Sequence, residues 1–212
     1  MLGIKFGITG RSRRAVAGSV TAMAASAMVS GVFAVPAAAQ APASAGVSAA
    51  VTASTSAAAC RTAWGTGAKG ARFPAMSTAP ITAVRAGRHP CFDRVVIDVK
   101  GGVARGGVSA AYVSQVYQDG SGYRVPLRGG ARLRVTIGNV VHDRNGRIVY
   151  NPRNPRELVP TRGYRTLRQV ALAGSFEGVT TLGVGVAQKK PYRLFVVDGA
   201  RGDRVVLDIA HR

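Results

Sequence analysis

The sequence predicts an all-β protein: a β-sandwich of two pseudo-symmetric sheets, preceded by a signal peptide and a flexible linker. Three observations predict it. Short β-branched runs separated by Gly-containing turns recur from residue 81 to residue 209, a pattern of strands rather than helices. Outside the N-terminal segment no stretch has a convincing amphipathic helical period, and 162–172 is the only place with room for a turn or two of helix. Nearly the same strand is written twice, DRVVIDV at 93–99 and DRVVLDI at 203–209, so two like units are expected within one domain.

The 212 residues divide into three parts. In 1–39, Lys5, Arg11, Arg13 and Arg14 precede a mildly apolar run that closes on Ala37-Ala38-Ala39. A basic region, an apolar core and an A-x-A site mark a secretory signal peptide cut after Ala39. Gly18, Ser19, Ser26, Ser30 and Gly31 interrupt the run, which makes it poor material for the ~20 strongly apolar residues of a membrane span. No transmembrane segment is therefore expected after cleavage. Ser12-Arg13-Arg14 fits twin-arginine export as well as the general route. Residues 40–60 are almost only Ala, Ser, Thr, Pro and Val up to Cys60. Such a stretch cannot bury enough apolar surface to offset the entropy of ordering, and reads as a flexible linker. From 61 to 212 the composition changes: the single Trp (Trp64), most aromatics and most charges lie here, in a length of ~150 residues that suits one domain.

Strands are expected in order at 81–86, 94–99, 110–118, 123–127, 132–137, 140–143, 147–150, 166–171, 179–186, 192–198 and 204–209. Gly87-Arg88-His89-Pro90 turns the first pair, and Asp119-Gly120-Ser121-Gly122 and Arg128-Gly129-Gly130 turn the next ones. Asn145-Gly146 is a strong two-residue hairpin signal, since both central positions of that turn need positive φ. An Arg- and Pro-rich loop, 151–163, follows it.

Within each copy of the repeated strand, alternation puts Val95, Ile97 and Val99, or Val205, Leu207 and Ile209, on one face. The other face carries Arg94, Val96 and Asp98, or Arg204, Val206 and Asp208. One face is made for a core and the other is charged at both ends. Each copy is also the second arm of a hairpin, and two sheets related by approximate symmetry would bury both apolar faces. Two placements stay open. The copies lie in opposite sheets, or they are antiparallel neighbours with Arg94 facing Asp208 and Arg204 facing Asp98; both pairs sum to 302, so a single register satisfies them. On either placement Asp93, Arg94, Asp98, Asp203, Arg204 and Asp208 are charges of the fold rather than of a binding site.

Removing 1–39 takes away four basic residues and no acid, and the formal net charge drops from +20 to +16. A charge of that size predicts attraction to polyanions outside the cell. Cys60 and Cys91 remain, and in an oxidising compartment an isolated pair predicts a disulfide, two unpaired thiols being the alternative. The strongest binding signal lies in 144–168, which holds Arg144, Arg147, Arg153, Arg156, Arg162, Arg165 and Arg168 against a single acid, Glu157, with Tyr150 and Tyr164 interleaved. Guanidinium forks suit phosphate and carboxylate; the bland reading of the same segment is a solvated surface. Nucleic-acid proteins share such charge, but no recognised nucleic-acid module accompanies it.

Signals for chemistry are weak. His89-x-Cys91-x-Asp93 could share one face of an extended segment, but Pro90 distorts it and Cys91 is better used in the disulfide, so no metal site is expected. His142 and His211 read as solvated or turn residues. Glu157 and Glu177 are not brought together by any pattern, Ser175 does not sit in a G-x-S-x-G elbow, and no phosphate-cradling Gly loop is present. No cofactor is expected.

The stretch VRAGRHPCFDRVV at 84–96, VALAGSFEG at 170–178 followed by LGVG at 182–185, and RVVLD at 204–208 together resemble the AMIN-like domain of secreted proteins from high-GC bacteria, itself related to the AMIN domain of cell-wall amidases. The likeness covers Trp64 to His211 and departs at Arg201-Gly202-Asp203, where the family usually has Pro-Pro-Arg or similar. What the resemblance implies is a sandwich of two symmetry-related sheets and association with peptidoglycan or envelope machinery. The expected protein is a secreted, wall-associated monomer, a non-catalytic module that binds peptidoglycan or teichoic acid through its arginines. A module that pairs an exposed sheet edge with another envelope protein is the alternative, and an enzyme the weakest reading.

Overall fold

The computed structural model describes Cys60, 62–72 and 74–212. The expected signal peptide, and all of the expected linker but Cys60, lie outside these residues. Among the described residues the structure is all-β, with no helix and with twelve strands. They are β1 (Lys69–Gly70), β2 (Ser77–Arg88), β3 (Phe92–Val99), β4 (Val108–Val113), β5 (Val116–Tyr117), β6 (Arg124–Val125), β7 (Ala131–Ile137), β8 (Asn139–Val140), β9 (Leu167–Phe176), β10 (Val179–Val186), β11 (Tyr192–Val197) and β12 (Arg204–Ala210). Five form sheet A in the order β1-β4-β7-β10-β9, five form sheet B in the order β11-β12-β3-β2-β8, and β5-β6 is a separate ribbon.

The two large sheets pack face to face. Period-2 alternation sends Val95, Ile97 and Val99 of β3 and Val205, Leu207 and Ile209 of β12 into a core shared with Leu133, Val135 and Ile137 of β7 and Leu182, Val184 and Val186 of β10. Tyr192 closes one end of this core. Its hydroxyl lies 2.8 Å from the Gly67 carbonyl and 2.7 Å from that of Ala110, and burial, with Tyr112 beside it, pushes the phenol up to about 12.

The repeated strands are neighbours in one sheet. β3 and β12 run antiparallel in the register Arg94↔Asp208, Val96↔Val206 and Asp98↔Arg204. The repeat symmetry therefore lies inside sheet B, centred on the Val96–Val206 pair with β2 and β11 as outer arms, and the duplicated hairpins do not close face to face. Sheet A supplies the opposing face instead.

Several element boundaries differ from expectation for local reasons. The strand expected at 110–118 breaks between β4 and β5, and the one at 123–127 is only β6. The stretch with room for helix starts β9, which extends to Phe176. The expected hairpin around Asn145-Gly146 reduces to a single bridge, His142↔Ile148. There only Gly146 has positive φ (76°), and the Asp143 carboxylate accepts from the amides of Asn145 and Arg147, both at 3.0 Å. A side-chain cap thus replaces the two-residue turn. Gly138 carries the chain from sheet A to sheet B; a Cβ there would sit 1.9 Å from the Ala75 carbonyl oxygen.

Candidate functional site

Three regions hold the side chains singled out in the sequence. In the first, the arginine-rich segment lies along the outer edge of β9. Leu158 N–H donates to the Val170 carbonyl (2.8 Å) and Leu172 N–H to that of Pro155 (2.7 Å). The Gln169 amide donates to the Arg156 carbonyl (2.8 Å) and the Thr161 hydroxyl to that of Arg168 (2.8 Å). The loop satisfies backbone groups that an edge strand would otherwise leave open. Its seven arginines are not one cluster. Arg147 pairs with Asp143 at 3.2 Å, and Arg168 donates to the carbonyls of Tyr164, Leu167 and Arg165. Arg144, Arg153, Arg156, Arg162 and Arg165 are exposed and make no ion pair among the described residues. Arg144 lies near Lys100 and Arg156 near Arg128. Between Arg162 and Arg165, Gly163 lies against the Arg88 guanidinium, 3.1 Å from where its Cβ would be. The acid of the segment, Glu157, forms a two-pronged ion pair with Arg128.

The second region is a buried clamp that fastens this loop to sheet B. Asp93, 1 % exposed, accepts on one oxygen from Thr166 N–H (2.6 Å), the Thr166 hydroxyl (2.8 Å) and Leu167 N–H (2.9 Å). Its other oxygen meets His211 Nε2 at 3.0 Å. Burial alone would raise the Asp93 carboxyl, but the Leu167 and Thr166 amides, with His211, hold it below the usual carboxylate range. His211, expected to be solvated, has a side chain only 7 % exposed; its Nδ1 lies 3.2 Å from the Pro90 carbonyl and its backbone N–H donates to that of Cys91. The segment His89–Asp93 is thus held by β12 and by the Cys60–Cys91 disulfide, which is formed as expected (Cα–Cα 5.1 Å). His89 stacks on Phe92 (centroids 4.4 Å).

The third region is the outer face of sheet B. Asp208 has no exposed surface and is gripped by Arg94 (2.6 and 2.8 Å) and by Arg193 (2.8 Å). These two guanidiniums lie over aromatic rings: Arg193 is 4.5 Å from the Trp64 centroid and 5.0 Å from Phe195, and Arg94 is 5.1 Å from Phe92. One turn of the repeat away, Asp98 takes Arg85 at 2.7 and 2.8 Å. The Arg85 hydrogen bond outweighs burial and, with Arg204 nearby, keeps Asp98 below the usual carboxylate range. Asp208 therefore has one arginine from an outer strand and one from the opposite copy, whereas Asp98 is bonded by the outer-strand arginine alone. The Arg94–Asp208 pair follows from the register, whereas Arg204 faces Asp98 without forming an ion pair with it. The roles of Trp64, Arg193 and Phe195 could not be read in advance, although an Arg alternating with Phe on β11 was a signal for them.

Compared with known protein families, residues 79–211 match the AMIN-like domain. No curated protein matches the chain at a significant level. The matched span begins within β2, so Cys60, Trp64 and β1 precede it.

Proposed function

The chain belongs to the AMIN-like domain family, and from that premise we propose that it is a secreted, non-catalytic module that associates with the cell wall by drawing anionic polymer, peptidoglycan or teichoic acid, onto an arginine-rich surface. One observation carries this reading. Of the nine acids, Asp93, Asp98, Asp143, Glu157, Asp203 and Asp208 are engaged by partners inside the domain, whereas Arg144, Arg153, Arg156, Arg162 and Arg165 stand exposed and unpaired among the described residues. The surplus positive charge is therefore on the outside and uncompensated, the condition for binding that releases counterions from a polyanion.

The test is retention of the secreted chain on purified cell wall with and without teichoic acid, across a salt series. Retention should require the anionic polymer and fall steeply with ionic strength, as exposed charges are screened over about 8 Å at physiological salt. Replacing Arg153, Arg156, Arg162 and Arg165 together by Ala should weaken it. Retention by neither wall preparation ends the proposal. Salt-resistant retention would favour strand addition to an envelope protein at a sheet edge instead.

A further inference from the structure

The outer face of sheet B and its turns carry three surface depressions joined by shared residues. One of about 410 Å³ lies on the sheet face between Arg85, Arg94 and Arg204. A second of about 870 Å³ continues from Arg204 past Arg201 and the 199–203 turn to Lys100. The third, about 420 Å³, continues from Lys100 to Arg144. Arg204 and Lys100 each line two of the three, so the depressions form one path. From the level of Arg94, which faces Asp208, to Arg204 is four residues along β12, about 13 Å at strand rise.

The charge along this path is one-sided. The acids lining it are Asp98, Asp203 and Asp143, and the exposed Asp198 stands beside it between Val197 and Gly199. Asp98 is held by Arg85; Asp203 accepts from Val103 N–H at 2.8 Å and Gly199 N–H at 3.4 Å; Asp143 pairs with Arg147 and two backbone amides. Lys100, Arg144, Arg201 and Arg204 are exposed and make no ion pair among the described residues. The floor is rigid, because the two turns touch: a Cβ on Gly202 (φ 138°) would lie 2.2 Å from the Val99 carbonyl oxygen.

We propose that this path is a binding groove for a linear phosphodiester polymer, separate from Arg153, Arg156, Arg162 and Arg165 of the loop along β9. The inference rests on the reading that the domain binds anionic polymer, and it names the polymer and its site. A phosphodiester chain carries its charge in its own backbone, so it can follow a narrow basic groove and meet cation after cation. Peptidoglycan carries its carboxylates on short side peptides and would not present a charged backbone to such a path.

The test measures binding of a fluorescent synthetic glycerol-phosphate oligomer to the secreted chain, with a poly-glutamate of equal charge as control. The triple variant Lys100→Ala, Arg201→Ala, Arg204→Ala should weaken oligomer binding about 30-fold and reduce the slope of log K against log salt by about 2, from roughly 0.7 per cation on a single strand. The loop variant Arg153→Ala, Arg156→Ala, Arg162→Ala, Arg165→Ala should weaken it less than threefold. None of the three groove side chains donates a hydrogen bond among the described residues, so a cooperative unfolding transition close to that of the unaltered chain serves as the folding control. Loss of oligomer binding in the loop variant alone would overturn the groove and leave wall binding standing. Equal affinity for poly-glutamate would overturn the choice of phosphodiester. Failure of the wild-type chain to bind the oligomer would overturn the groove, while retention on whole wall tests the broader reading independently.

Discussion

The outer faces of the two sheets are finished in opposite ways. On sheet A, Gly183 and Gly185 clear the surface of β10, and the chain from Val116 to Arg128 lies down on it. Val116 and Leu127 pack there against Ala171 and Ala173 in a second, small apolar core. On sheet B no segment of the described residues covers the centre. Arginines, carboxylates and aromatic rings cover it instead, and they shelter Val96 to 8 % and Val206 to 4 % exposure. A face covered by long side chains keeps its cations at the surface. The three joined depressions lie on sheet B and its turns, while a separate one of about 450 Å³ opens beside Leu127, Arg128 and Gln169 on sheet A.

The largest expected effect breaks the sheet A arrangement. A side chain at Gly185 would place Cβ 2.1 Å from the Arg128 carbonyl oxygen, and backbone cannot yield as a flexible tip can. Gly185→Val is expected to cost more than about 3 kcal/mol and to yield little folded protein, as read by far-UV circular dichroism and soluble yield. At Gly183 the nearest atom is a Leu127 methyl at 2.9 Å, so Gly183→Ala should fold with a lowered melting temperature.

Next in size is the clamp between the two sheets. Asp93→Ala strands the amides of Thr166 and Leu167 and should cost about 3 kcal/mol in urea unfolding. The same group makes the fold acid-labile. The folded Asp93 and Asp98 carboxyls lie below their unfolded values, so their contribution is fully present above the ordinary carboxylate pKa of about 4 and is lost as pH falls through the lowered values. Melting temperature should be flat from pH 7 to about 5 and fall below about 4. A midpoint that stays level down to pH 3 would contradict this.

On sheet B, Asp208→Ala should cost about 2 kcal/mol, less than a fully buried pair, because Arg94 and Arg193 keep access to water. Smallest is Arg85→Ala, an exposed pair, at about 0.5 kcal/mol. If Arg85→Ala proved as costly as Asp208→Ala, the solvent-facing arginines of sheet B would be as structural as the buried chain on sheet A, and the contrast between the faces would fail.

Much of this was legible in the residues. The period-2 pattern of 93–99 and 203–209 assigned core and outer faces correctly, and the charge pairs supplied the register of β3 on β12 as one of two placements. The lone cysteine pair foretold its bridge. The clamp was not legible: Asp93 meets Thr166 and His211 across 73 and 118 residues, and no local pattern marks partners that far apart. Nor was the role of the arginine loop as edge cover, because it acts through main-chain groups that every residue type carries. The alternating glycines of 182–185 were visible as a strand, but not as the bed for another segment.

The amino-acid order alone determined the strand content, the two-sidedness of each strand and the excess of positive charge, because alternation and composition are local properties of the chain. Only the tertiary structure decided which faces the chain covers and which cations keep no partner. Those outcomes depend on loops that close over many tens of residues, and on whether a carboxylate, an amide or only water is waiting where each side chain arrives.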